Sequence, residues 1–275
     1  MKIALLGLGG MGKTVRLIAL ARGHEVPVII DPHNQEATSC CLSAEILNGV
    51  DVAIDFSSNE ALFGNINICK KAGVNLVVGT TGWYDKLAEV KEMVEVKNAG
   101  TVAEENGGRP REGKAAKKNL DNANEIGFLW SSNFSIGVNL YFKMVEVAAK
   151  LVNKFDEYDV WGHEIHHYNK ADSPSGTAKT LEKILLDNIE RKKAVVEDKL
   201  DRKREPHEIH FSSVRGGPVN FGHTIGFDSA ADRILITHEA RCRDGYALGA
   251  VKAAEWLNGK KGYFNMEDFL RGMIE

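Results

Sequence analysis

The first two dozen residues constrain the fold most tightly. "KIALLG" (2–7) is a short apolar run ending in glycine, and "KTVRLIALARG" (13–23) follows with apolar residues at Val15, Ile18, Ala19 and Ala21 and a glycine stop. That pattern predicts a strand and then a helix. Between them Gly7, Gly9 and Gly12 stand in a G-x-G-x-x-G spacing. Alone the spacing carries little information, but a strand before it and a helix after it give it a mechanism. Gly7 permits a tight turn, Gly9 lets a pyrophosphate approach the backbone, and Gly12 lets helix and strand pack closely. The N–H groups that open the helix then face the phosphates, helped by the helix dipole.

The same alternation continues. "VPVIID" (26–31), "VAIDF" (52–56), "NLVVGTTG" (75–82) and "IGFLWSS" (126–132) read as strands, with helical stretches at 60–73 and 83–97. The strands are apolar throughout rather than alternating, as in a parallel sheet covered on both faces, so the expected fold is doubly wound α/β. Asp31 closes the second strand nineteen residues after Gly12. A carboxylate there accepts bonds from an adenine ribose 2′-OH and repels a 2′-phosphate, and no arginine follows to receive one. NADH is therefore expected in preference to NADPH. "GTTG" (79–82) and "SSNF" (131–134) fall at the carboxyl ends of strands, where ligands of open α/β sheets bind. Thr80 and Thr81, with nearby backbone groups, are candidates to face a nicotinamide carboxamide.

Composition narrows the class. The 275 residues, 43% of them hydrophobic, suffice for one large domain or two ordinary ones. With 35 basic against 38 acidic residues the formal charge is −3, which argues against a general nucleic-acid or membrane surface and makes any anion site local. Cys40, Cys41, Cys69 and Cys242 form no C-x-x-C pair and read as reduced thiols of a cytoplasmic protein. A strand begins beside Met1, which leaves no room for a secretory signal, and no apolar run approaches the ~20 residues that span a bilayer. Residues 98–124 have almost no large apolar side chain beyond Val102 and Leu120 and read as a surface insertion.

The second half changes character. Residues 137–153 are helical, a helix begins near Ser175, and 207–214, 219–228 and 233–241 read as successive strands of an antiparallel or mixed sheet. A helix at 246–260 ends the pattern. The expected organisation is a dinucleotide-binding domain over 1–133, with 242–275 returning to it, and a second α+β domain over 134–241.

"HEIHHYNKADSPSGTAKTL" (163–181) opens with the H-E-x-x-H spacing of a zinc peptidase. That motif needs a helix to bring its histidines to one face. Gly162 before it, Pro174 after it and the strand-like "EYDVWGHEI" argue against one, so no metal is expected at His163 and His167. Pro174 suits the first turn of the following helix, with Asp172 or Ser173 as its cap. The N–H groups of Ser175, Gly176 and Thr177 would then make an anion cradle, with Lys170 supplying charge and His166 and His167 able to donate. Adjacent strand residues face opposite ways, so both histidines serve one pocket only if the strand ends or bends there. Hydride from a dinucleotide, joined to an anion site with proton donors, reads as a reductase or dehydrogenase.

On "HHYNKADSPSGTA" (166–178), "SSNFSIGVN" (131–139), "DFS" (55–57), "GTTG" and "GLGGMG", with "SVRGG" (213–217), "HT" (223–224) and "ITHEA" (236–240), the chain resembles the 4-hydroxy-tetrahydrodipicolinate (dihydrodipicolinate) reductases. The resemblance implies a cytoplasmic enzyme of the diaminopimelate and lysine route. It would reduce the cyclic hydroxylated dicarboxylate with NAD(P)H and release water, and it would be a homotetramer built through the second domain. By that resemblance His166 is the proton donor/acceptor and Lys170 the proton donor, and His167, Gly176 and Thr177 bind the dicarboxylate. The cofactor would touch Gly7, Leu8, Gly9, Gly10, Met11, Gly12, Asp31, Gly79, Thr80, Thr81, Ser131, Ser132, Asn133 and Phe134. Gly10 and Met11 stand where the family often has an arginine, which loosens the inference on cofactor choice. The alternatives are another Rossmann oxidoreductase of small carboxylates and a non-catalytic dinucleotide sensor.

Overall fold

A computed structural model of the chain describes residues 1–95, 124–197 and 199–273. The expected insertion at 98–124 lies outside them except for Asn124, whose N–H donates to the Lys70 carbonyl at 3.0 Å. The chain divides into two compact units, Met1–Phe134 with Tyr246–Glu275, and Ser135–Gly245.

The first unit begins β1 (Lys2–Leu6), α1 (Gly10–Ala21), β2 (Glu25–Ile30), β3 (Val52–Asp55), α2 (Leu62–Ala72) and β4 (Asn75–Val78). A 3-10 turn at Tyr84–Lys86 leads into α3 (Leu87–Glu95), and β5 (Gly127–Trp130) follows. Helix α1 starts three residues before the spacing of apolar side chains predicts, directly on the glycine turn. Strand β2 carries Pro27, which lacks a ladder donor, and it lies at the sheet edge where that is tolerated. Helix α2 stops at Gly73, which adopts the left-handed conformation (φ 71°).

The second unit contains α4 (Ile136–Val152), β6 (Asp159–His166), α5 (Gly176–Asn188), β7 (Ala194–Val196), β8 (Glu208–Arg215), β9 (Phe221–Asp228) and β10 (Arg233–Ala240). The strands form a mixed sheet in the order β10-β9-β6-β8-β7. The consecutive strands β8 and β9 are not neighbours: β6 lies between them, parallel to β8 and antiparallel to β9. Helices α4 and α5 cover one face, packing Tyr141, Val145, Ala149, Ala178, Leu181 and Leu185 on Val160, Ile209, Phe211, Ile225 and Phe227. The opposite face stays open, with Val214 and Leu235 exposed and Trp161 and Ile165 half-buried.

The tail supplies α6 (Asp244–Leu257), β11 (Gly262–Asn265) and α7 (Met266–Arg271). Strand β11 joins the first unit's sheet parallel to β5, completing the order β11-β5-β4-β3-β1-β2. All its pairings are parallel, as the doubly wound expectation requires. Strands β7 and β11 and helix α7 are not anticipated from sequence, being three to six residues long and too short to show a period.

Candidate active site

The glycine turn is close-packed where it must be and open where a ligand would come. Gly7 has φ +90°, and a Cβ on it would lie 2.7 Å from the Phe56 carbonyl oxygen. A Cβ on Gly12 would lie 2.1 Å from the Gly7 carbonyl oxygen, so any side chain there separates α1 from β1. Gly9 and Gly10 have nothing within 4 Å of that position. Met11 is half-buried and Leu8 buried. Asp31 has a second task besides any ribose: one oxygen accepts the Leu8 N–H at 2.7 Å and the other that of His33 at 2.8 Å. Those bonds, Leu8's foremost, hold its carboxyl below the usual range. The turn opens onto a cavity of about 460 Å³ whose lining includes Gly7, Gly9, Asp31, His33, Cys40 and Ser57. A cradle of this kind at a helix N-terminus fits a dinucleotide pyrophosphate and ribose.

The strand ends are more inward-looking than expected. The Thr80 hydroxyl is buried and donates to the Asp55 carboxylate at 3.2 Å, so the side chain does not face a nicotinamide. Asp55 itself is fully buried, and that burial raises its pKa against the hydrogen bonds from Ser57, Asn65 and Thr80. A side chain on Gly79 would collide with the Phe56 ring, 2.1 Å away. Ser131 spends its hydroxyl on the Asn133 backbone, and Phe134 is buried edge-on to Phe56. Thr81 and Ser132 are exposed and Asn133 half-buried.

In the second unit, β6 ends at His166, which meets the condition set by strand geometry: His167 lies just beyond and escapes the alternation. His166 is buried at 7% exposure and His167 half-buried. Burial foremost, opposed by Glu164, pushes the His166 imidazole down to about 4. Its Nε2 has no hydrogen-bond partner among the described residues. Lys170 donates to both Asp172 oxygens, at 2.7 and 3.0 Å. The cap of α5 is Ser175, not Asp172 or Ser173, and its hydroxyl accepts the Ala178 N–H. The helix starts after Pro174 because Ser175 is anchored from below: its N–H and hydroxyl both donate to Glu164. That removes Ser175 from the expected cradle. The N–H groups of Gly176 and Thr177 remain at the helix start, with open space around Gly176.

Glu164 is the residue that sequence reasoning missed. It is fully buried, yet it accepts from Ser213 Oγ at 2.9 Å and Arg215 Nη2 at 2.7 Å, and His223 Nε2 lies 3.2 Å away. Burial opposes its ionisation, but the bonds from His223, Ser175, Arg215 and Ser213 outweigh it and hold the carboxyl well below the usual range. The same Arg215 Nη2 donates to the Asp172 carbonyl at 2.6 Å, tying the Lys170 loop to the sheet. Strand register explains the gathering. Ser213, Glu164, His223 and His238 lie in one cross-strand row, and Arg215, His166 and Phe221 in the next. The available sequence clue was that Glu164 and His166 are two apart on a strand and so share a face.

The zinc-peptidase spacing dissolves in this geometry. His163 sits on a strand, on the face opposite Glu164, with its ring 3.0 Å from Ser212 Oγ. Glu164, His166 and His223 do bring ligand atoms within 4.8 Å of one another. The Glu164 oxygens, however, already accept from Ser175, Ser213 and Arg215, so Glu164 centres a charge-assisted network of those residues.

A Rossmann glycine turn at the carboxyl ends of a parallel sheet defines the class as a dinucleotide-binding α/β protein. Family models described as dihydrodipicolinate reductase, N-terminus and C-terminus, match residues 1–106 and 137–270. The chain is 36% identical over 277 residues to 4-hydroxy-tetrahydrodipicolinate reductase of Christiangramia forsetii, covering 100% of both chains. It is 33% identical over 288 residues to that of Archaeoglobus fulgidus, covering 98% of this chain and 100% of the relative. Its fold is similar to the solved dipicolinate-bound dihydrodipicolinate reductase from Paenisporosarcina sp. TG-14, at TM-score 0.71, 19% identity and 98% coverage of each chain. The chain belongs to the dihydrodipicolinate reductase family. It is an NAD(P)H-dependent oxidoreductase of diaminopimelate and lysine biosynthesis. Among the described residues no helix is long and apolar enough to cross a membrane.

Proposed function

We propose that the chain reduces 4-hydroxy-tetrahydrodipicolinate to tetrahydrodipicolinate with loss of water, using Lys170 as the proton donor and NADH as the preferred reductant. When bound, the dinucleotide supplies the hydride. Gly7, Leu8, Gly9, Gly10, Met11 and Gly12 would hold its pyrophosphate, and Asp31 its adenine ribose. The backbone of Gly79, Thr80, Ser131 and Phe134, with Thr81, Ser132 and Asn133, would border the nicotinamide end. The Gly176 and Thr177 N–H groups hold one substrate carboxylate, with His167 at the rim. Lys170 leaves Asp172 for the substrate and gives a proton to the departing hydroxyl. His166, held neutral by burial with its Nε2 3.4 Å from a Glu164 oxygen, is the proton donor/acceptor of this reading.

The observation that carries this reading is the anchoring of Ser175 by Glu164, which fixes the start of α5 so that the Gly176 and Thr177 N–H groups open the helix. Lys170→Ala tests it. Removing a general acid lowers kcat by about 10²–10⁴-fold, and the affinity for NADH, measured by fluorescence titration, should not change. A variant with near-full kcat removes Lys170 from the chemistry.

The preference for NADH rests on Asp31, whose charge repels a 2′-phosphate. kcat/KM should be higher with NADH than with NADPH, and equal or better use of NADPH contradicts the assignment. The family reading further implies a cytoplasmic homotetramer. The open face of the β10-β9-β6-β8-β7 sheet, carrying Trp161, Ile165, Val214 and Leu235, is the surface that supports assembly with further copies.

A further inference from the structure

Cys40 and Cys41 are adjacent free thiols. Their Sγ atoms lie 3.5 Å apart and both residues are exposed. That spacing is well beyond the ~2.05 Å of a disulfide but within reach of a single bridging atom. The loop that presents them is anchored. Thr38 N–H donates to the Ile29 carbonyl at 2.8 Å, and Ser39 forms a parallel bridge to Ile30. The Ser39 hydroxyl then donates to the Cys41 carbonyl at 2.9 Å and accepts the Cys41 N–H at 3.2 Å. Cys40 lines the same cavity as Gly9, Asp31 and His33. The other thiols lack these features: Cys69 is fully buried and Cys242 stands in the other unit.

We infer that Cys40 and Cys41 form a dithiol capture site for a bridging thiophilic group of the trivalent-arsenic class, in the wall of the cavity beside the glycine turn. With an organic arsenoxide, two S–As bonds form and two S–H bonds break, and the oxygen leaves as water with both protons. Arsenic stays trivalent, so no oxidant or reductant is needed. The second S–As bond closes within the molecule, which makes the adduct resistant to displacement by monothiols. The neighbouring Cys40 raises the Cys41 pKa, which favours the protonated Cys41 thiol. A bridged group on Cys40 occupies cavity space, so capture and dinucleotide binding exclude one another. That last step rests on the reading of the cavity as the dinucleotide site.

The test uses phenylarsine oxide on the full chain. Intact mass should show one phenylarsenic group per chain with loss of two titratable thiols. The adduct should survive excess 2-mercaptoethanol and be released by 2,3-dimercaptopropanol. Cys242→Ser should retain that adduct and Cys41→Ser should lose it. After capture, NADH should bind about tenfold more weakly or worse, and prior NADH should slow capture. An adduct that forms equally in Cys41→Ser, or none in the parent chain, overturns the capture site. Unchanged NADH affinity after capture overturns its coupling to the cavity. Failure of the untreated chain to bind NADH would instead sink the functional reading, leaving capture to be judged by the thiol count.

Discussion

His166 and Glu164 show how one buried environment moves two groups in ways that make the site acid-sensitive. The His166 imidazole titrates near its ordinary 6.5 in the unfolded chain but is pushed down to about 4 in the fold, chiefly by burial. Between those values the unfolded state binds more protons, so stability falls as pH drops through the window. Glu164 acts in the same direction: its folded pKa is depressed, so the stability it provides at neutral pH is lost as acid protonates it. Thermal melts at stepped pH should show Tm falling from about pH 6.5 to 4. His166→Gln should make that slope less steep. A Tm unchanged across the window contradicts the burial account. Above that window His166 is neutral, which is consistent with the proposal that Lys170 donates to the leaving hydroxyl.

At the scale of elements, Glu164 is the point where β6, β8, β9 and the start of α5 meet, through Ser213, Arg215, His223 and Ser175. Replacing it by Gln leaves the Arg215 charge without its partner, and breaking such a buried pair costs about 3–5 kcal/mol. Urea unfolding of Glu164→Gln should show a loss of that order, with KM for the dicarboxylate raised as the α5 start loosens. A variant of parent stability would show that Glu164 does not organise the region. This junction was not legible in the sequence. Ser213 and Arg215 lie about fifty residues from Glu164 and, with His223, meet it through the register of β6 with β8 and β9, which no local pattern encodes. The glycine turn was legible because Gly7 and Gly12, which touch, are five residues apart and flanked by a strand and a helix. The cap of α5 falls on Ser175 rather than on Asp172 or Ser173 because its anchor, Glu164, is a tertiary contact. Thr80 was assigned to a ligand on its position at a strand end, but Asp55, buried beneath it, takes its hydroxyl.

For the whole molecule, the exposed sheet face predicts assembly. Light scattering should give the mass of four chains, and Val214→Glu with Leu235→Glu should yield smaller species by placing charge on an apolar interface. A parent chain that runs as a monomer contradicts the proposed assembly. The alternation of strands and helices in the first half was readable because each element repeats a period. For the second sheet the antiparallel or mixed character was readable but the strand order was not, because the consecutive strands β8 and β9 are separated by β6 from earlier in the chain. The central claim is chemical, and the most direct measurement is NADH oxidation, followed by its absorbance, with and without 4-hydroxy-tetrahydrodipicolinate. Turnover only when the cyclic dicarboxylate is present, with one NADH consumed per substrate reduced, is the predicted result. Tight NADH binding with no substrate-dependent oxidation would contradict it.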